Sequence, residues 1–168
     1  MPGIAIVTDV SVTILPAAPL HALEIWSNPG VVAARFEAAM RAALPAMGQS
    51  LASSAMQAIR YEPTVWLVEG DTAGLAEVLG PDGSLTSLGG GVVRVRLAGP
   101  GWRSLLMEGG VFNAEAADFS TGCSATTLID HVNVRLLVES EDACRAYVPL
   151  SYAHDMVHFW QVAAKTLP

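Results

Sequence analysis

The sequence predicts an α+β domain. Strand-like runs of Val, Ile and Thr alternate with helical patterns inside one short chain. A length of 168 residues suits a single unit spanning 1–168. No internal repeat, linker or low-complexity tract divides it.

Taken in order, Ile4 to Leu15 reads as a strand or extended arm, rich in β-branched residues and stopped by Pro16 and Pro19. Asn28-Pro29 opens a helix, with Asn as N-cap and Pro at the first turn. Val32, Phe36, Ala39, Met40 and Ala43 form its apolar face, Glu37 and Arg41 stand one turn apart, and Pro45 and Gly48 close it. Gln49 to Arg60 fits either strand or helix. Thr64 to Glu69 is a short apolar strand. Asp71 caps a helix over Thr72 to Leu79, which Gly80-Pro81 ends. A loop through Asp82-Gly83 and Gly89-Gly90-Gly91 leads to a strand at Val92 to Leu97. There Val93, Val95 and Leu97 share one face, with Arg94 and Arg96 on the other. Gly99-Pro100 starts a helix running to Met107, and Gly109-Gly110 ends it. After a loop carrying Phe112 and Phe119, Gly122 to Ile129 and Val132 to Val138 pair as strands, and Ala146 to Pro149 adds a third. Ser151 caps a last helix reaching about Lys165. Its apolar stripe is Ala153, Met156, Val157, Trp160 and Ala164; His154, His158, Gln161 and Lys165 lie opposite.

The composition narrows function. Apolar residues reach 52% and charged residues only 15%, with a net charge of −7 from nine Lys+Arg and sixteen Asp+Glu. A folded monomer of this mass exposes about 7,900 Å². So few charges over such an area point to a partner that covers part of the surface; the plainer reading is a general bias toward Ala, Gly and Val. Trp102, Phe112, Phe119, Phe159 and the arm Ile4 to Leu15 are the expected contact residues. Nine scattered cations make no basic stripe, which excludes nucleic acid. The longest charge-free stretch, Ala42 to Ile59, carries Pro45, Gly48 and several Ser and Gln, so no membrane span is expected. The start, Met1-Pro2-Gly3-Ile4, has no basic leader region. Cys123 and Cys144 form no CxxC and read as free, packed thiols in a reducing, cytoplasmic setting.

Each candidate site has a plainer reading. His154 and His158 have the i, i+4 spacing of metal ligands but no third ligand. Gly89-Gly90-Gly91 precedes a strand and lacks a following Lys-Ser/Thr, so it is a turn and not a phosphate loop. Cys123 could act as a nucleophile with His131, yet nothing supplies a third group. His21 has no nameable partner. Ser124, Thr126 and Thr127 alternate as strand residues do. Glu108, Glu115 and Asp118 form a solvated acidic group. No catalytic, cofactor-binding or metal residues are therefore expected in this chain.

One ordered set of segments carries a family resemblance. It runs through Trp66-Leu-Val-Glu-Gly70, Val93-Arg-Val-Arg-Leu-Ala-Gly-Pro-Gly-Trp-Arg-Ser-Leu-Leu106, Gly109-Gly110, Phe119-Ser-Thr-Gly-Cys-Ser-Ala-Thr-Thr-Leu-Ile129 and Tyr147-Val-Pro-Leu-Ser-Tyr-Ala153 with the aromatic helix behind it. Across residues 61–165 this resembles the gamma subunit of heterotetrameric sarcosine oxidases. Two positions depart from the family pattern: Gly110-Val-Phe-Asn113, and Thr126 where the family has Gln. The resemblance implies a fold like the folate-binding domain of the glycine-cleavage T-protein, with a mixed or antiparallel sheet and packed helices. It implies a non-catalytic role in assembly within a flavin-dependent complex that oxidatively demethylates N-methylated amines or amino acids. The partners would be alpha, beta and delta type subunits, carrying FAD, FMN, NAD, zinc and tetrahydrofolate. The alternative is a stand-alone, folate-domain-like protein that binds a small ligand.

Overall fold

The computed structural model describes residues 9–167. Ten strands form two five-stranded antiparallel sheets. The first has the order β1 (Ser11–Ile14), β7 (Val92–Ala98), β10 (Ala143–Pro149), β9 (Val132–Ser140), β8 (Ser124–Ile129). The second has the order β3 (Ser50–Ala52), β4 (Met56–Glu62), β5 (Val65–Gly70), β2 (Leu20–Ile25), β6 (Gly83–Ser87). Four helices complete it: α1 (Pro29–Met40), α2 (Leu75–Leu79), α3 (Trp102–Met107) and α4 (Leu150–Ala164). The α+β class expected from sequence is what forms, with two sheets where one was expected.

Side-chain alternation builds the layers. On β10, Cys144, Ala146 and Val148 point to α3 and α4, with Trp102, Leu105, Met156 and Trp160 among their neighbours. Tyr147, between them, points the other way and meets Leu137 of β9 and Leu20, Ile59 and Leu67 of the second sheet. On β5, Trp66 and Val68 face α1 and α2 through Val32, Phe36, Leu75 and Leu79. Leu67 faces the first sheet. The chain is thus a helix–sheet–sheet–helix stack, and period-2 patterning assigns each strand residue to one of three apolar layers.

Several local expectations are corrected. Leu20–Ile25 is an inner strand of the second sheet, between β5 and β6, and Gly83–Ser87, expected as loop, is the edge strand beside it. Gln49–Arg60 resolves into the β3–β4 hairpin. α1 ends at Met40, so Arg41 is the left-handed C-cap (φ 54°) and cannot pair with Glu37 along a helix; Ala43 lies outside it. Asn28 stands at the N-cap, but its amide bonds to Asp82 and not to the helix backbone. Asp71 accepts the Ala73 N–H at 2.9 Å, two residues ahead of a helix that starts at Leu75. The last helix begins at Leu150, with Pro149 and not Ser151 at the N-cap. α3 starts at Trp102, after a turn through Gly99 and Pro100. β10 starts at Ala143, earlier than expected.

Of the expected contact residues, Trp102 and Phe119 are buried core, and Phe112 and Phe159 are half-buried. Within the arm, Ser11–Ile14 pairs with β7 of its own chain; residues 4–8 lie outside the described residues. Among the described residues, no helix is long and apolar enough to cross a membrane.

Candidate functional site

The two sheets meet across a seam that combines an apolar centre with a cluster of charges. Arg94 and Arg145 project from adjacent strands of the first sheet, paired through Tyr147↔Arg94 and Arg145↔Arg96 in the ladder. They converge on Glu69 of β5. Glu69 takes an ion pair from Arg94 and bonds from Arg145 at 2.9 and 3.0 Å, and the Tyr147 hydroxyl donates to it at 2.9 Å. Glu139 of β9 pairs with Arg145 and, at 2.8 Å, with Arg96. Gln57 accepts a further bond from Arg145 at 3.0 Å. Beside the cluster, the Arg135 guanidinium lies 3.8 Å from the Tyr61 ring centre. Burial, reinforced by the Glu69 carboxylate, pushes the Tyr147 hydroxyl well above the usual tyrosine range. Burial opposes the charge on Arg145, but Tyr147, then Glu69 and Glu139, outweigh it and hold the guanidinium firmly protonated. Every acceptor site of Glu69 is engaged, so this carboxylate fastens sheets together and has no free lone pair for proton transfer. The sequence gives no sign of the cluster, because Glu69 and Arg145 lie 76 residues apart.

A second polar junction holds α1. Asp82 accepts from Ser27 and Asn28 at 2.8 Å each and pairs with Arg35. The Asn28 amide, then Ser27 and Arg35, keep its carboxyl below the usual range. Trp26 reaches over the same turn, its indole N–H donating to the Pro81 carbonyl at 3.1 Å.

The cavity with the most varied chemistry lies where the chain crosses between sheets. Gln49 forms an isolated bridge with Cys123, Ser124 donates its hydroxyl to the Gln49 carbonyl at 2.8 Å, and Ser50 bonds the Gly122 carbonyl at 2.7 Å. The result is a pocket of about 340 Å³ lined by Met47, Gln49, Phe112, Asn113, Asp118, Phe119 and Cys123. Phe112 and Phe119 meet edge-to-face, 4.8 Å apart. The Cys123 thiol donates to the Asp118 carbonyl at 3.2 Å. It packs against the core of the first sheet as expected, but is only half-buried and lines a cavity, because it sits just before β8 at the end of the loop. Both cysteines are free, and Cys144, fully buried under α4, has its thiol pushed up to about 12 by burial. The pocket can orient a small molecule through Asn113, Gln49 and Asp118. No base or oriented donor pair activates its thiol or carboxylate.

The other sequence candidates stay apart. Cys123 and His131 lie at opposite ends of β8. His154 and His158 are both solvent-exposed on α4; His154 touches only Asp155, at 3.4 Å. Gly89 and Gly90 wall a shallow groove of about 280 Å³ with Ile14, Ala17 and Leu150, and the Gly91 carbonyl accepts the Leu150 N–H at 2.9 Å. His21 sits on β2 with Nδ1 buried and without a partner. Ser124 is buried, Thr126 is exposed and Thr127 half-buried along β8. Glu108, Glu115 and Asp118 are exposed. Among the described residues, no three His, Cys, Asp or Glu side chains converge as metal ligands.

No family model matches this sequence, and no curated protein matches it. Solved structures do. A chain of heterotetrameric sarcosine oxidase from Corynebacterium sp. U-96, in complex with pyrrole 2-carboxylate, superposes with TM-score 0.83 at 21% identity, over 93% of this chain and 84% of that one. Glycine cleavage system aminomethyltransferase T from Bartonella henselae superposes with TM-score 0.63 at 16% identity, over 91% of this chain but only 45% of the larger protein. The fold named by the sequence resemblance is therefore the fold that forms: this chain is built like a chain of heterotetrameric sarcosine oxidase and like under half of an aminomethyltransferase T.

Proposed function

We propose that this chain is the small, gamma-type, non-catalytic subunit of a sarcosine oxidase-like complex, an oxidoreductase acting on CH–NH donors. One observation carries the reading: the likeness covers most of both chains, 93% of this one and 84% of the sarcosine oxidase chain, at TM-score 0.83. The motif order over residues 61–165 points the same way. So does the chemistry, since the charged groups of the seam are spent on each other and the pocket beside Cys123 lacks an activating partner.

In this reading the oxidative demethylation of an N-methylated amine or amino acid takes place on cytoplasmic alpha, beta and delta type partners. Those partners hold FAD, FMN, NAD, zinc and tetrahydrofolate. This chain contributes surfaces. The rival is a stand-alone ligand binder, favoured by the aminomethyltransferase likeness and by the pocket of about 340 Å³.

Light scattering on the chain expressed alone separates the two. A subunit deprived of its partners self-associates or aggregates, and is colourless. A stable monomer at about tens of micromolar with a cooperative melt, or a stoichiometric yellow flavin on the isolated chain, overturns the subunit reading.

A further inference from the structure

The chain spends its cations internally. Arg35, Arg94, Arg96 and Arg145 are in ion pairs. Arg60, Arg103 and Arg135 lie over the rings of Trp66, Trp102 and Tyr61. Of the nine Lys+Arg, Arg41 and Lys165 remain. Of sixteen carboxylates, only Glu69, Asp82 and Glu139 pair with an arginine among the described residues. Most of the carboxylates therefore have no arginine partner; Asp155 touches the exposed His154 at 3.4 Å.

One apolar groove lies beside two of these carboxylates. Along the flank of α4, Phe159, Val162 and Ala163 floor an open depression of about 560 Å³, rimmed by Asp155 and His158 and, across it, by Asp130. Val162 is 47% exposed. The Phe159 ring lies against Gly109, where a Cβ would stand 2.8 Å from it, so the absence of a side chain there makes room for the ring. Asp130 occupies the β8–β9 turn with φ 45°, followed by His131 at φ 65°. Both are left-handed positions, and Asp is among the residues such hairpin turns accept, so the turn presents a carboxylate at the groove's edge. The groove's far end is the C-terminus of α4, the negative end of a 15-residue helix. Lys165 stands one turn beyond Val162 and does not line the groove.

We propose that this groove receives an apolar segment of a partner subunit, bracketed by Lys or Arg side chains that meet Asp130 and Asp155. The proposal rests on the subunit reading above. A second copy of this chain is the wrong occupant, since it would bring the same carboxylates and hardly a free cation.

The test uses the complex that an affinity-tagged chain brings from its own cells, in three versions: wild type, Val162→Glu, and Asp130→Asn with Asp155→Asn. All the substituted residues are exposed, so each version keeps the wild-type melt. The proposal expects Val162→Glu to weaken partner retention by about tenfold or more. It expects the double variant to weaken it several-fold at low salt and to flatten its salt dependence. A complex that survives both sets of changes with unaltered salt response overturns the groove and leaves the subunit reading standing. A wild-type chain that emerges alone overturns both. A homodimer of the isolated chain that Val162→Glu dissolves assigns the groove to a second copy and also overturns the proposal.

Discussion

Replacing Glu69 by Ala tests whether the charged seam fastens the two sheets. The change strips one carboxylate from Arg94, Arg145 and the Tyr147 hydroxyl together. The side chains of Arg94 and Arg145 are only 11% and 18% exposed, so water cannot replace what is lost. Breaking a buried pair in this way costs about 3–5 kcal/mol, a large part of the roughly 5–15 kcal/mol that holds a domain folded. For a chain of this size each kcal/mol moves Tm by about 2–4 °C, so a drop of roughly 6–20 °C follows. Glu69→Gln keeps an acceptor but no charge and should fall between. A triple change of Glu69, Arg94 and Arg145 to Met leaves Glu139 on Arg96 and the Tyr147 hydroxyl without its acceptor, but removes the unpaired buried arginines and should recover part of the loss. Thermal melts and urea titrations with an unchanged m-value measure all three. An E69A melt within about 2 °C of wild type would refute the reasoning, because the arginines would then be solvated in spite of their burial.

Stability should decline in alkali. Cys144 is raised from an ordinary 9.0 to about 12, and Tyr147 is raised above 10.0, both chiefly by burial. A folded-state pKa above the unfolded one gives stability that is complete below the unfolded value and is lost as pH rises. Unfolding free energy should therefore be flat to about pH 9 and then fall by about 1.4 kcal/mol per pH unit for each group; Cys144→Ala should shallow that slope in a urea series. A thiol reagent followed by mass spectrometry should modify Cys123 in the native chain and Cys144 only after denaturation. Equal resistance of the two would contradict the half-buried placement of Cys123. Gly83→Ala should destabilise by more than about 2 kcal/mol, since the new Cβ would stand 2.2 Å from the Glu24 carbonyl oxygen in the neighbouring strand. His131→Gly should raise Tm modestly by relieving the left-handed backbone at φ 65°.

Much of the layer structure was legible because it follows from period. Val93, Val95 and Leu97 turn toward one face, as their spacing requires, and Met156, Val157 and Trp160 bury the α4 stripe. The missed strands have physical reasons. Leu20–Ile25 packs on both faces and so has no clean alternation, with His21 and Ala22 half-buried between Leu20 and Leu23. Gly83–Ser87 is a short polar edge with nothing in its composition to mark it. The Glu69 cluster was invisible because β5, β7 and β10 meet only after two sheets stack. Trp102 and Phe119 were misread as contact residues because aromatic content alone does not say which layer a ring enters. The fold class was readable; the seam, the Cys123 pocket and the α4 groove were not.

As proposed above, this chain works as part of a larger flavin-dependent assembly. Native mass spectrometry on the affinity-tagged chain from its own cells, joined to an absorbance spectrum before and after an N-methylated amine such as sarcosine, tests it most directly. The expected species is a fixed-stoichiometry hetero-oligomer that contains this chain, carries a flavin spectrum and bleaches on addition of the amine. A mass of one chain alone, without flavin absorbance or response to any N-methylated amine, would contradict it.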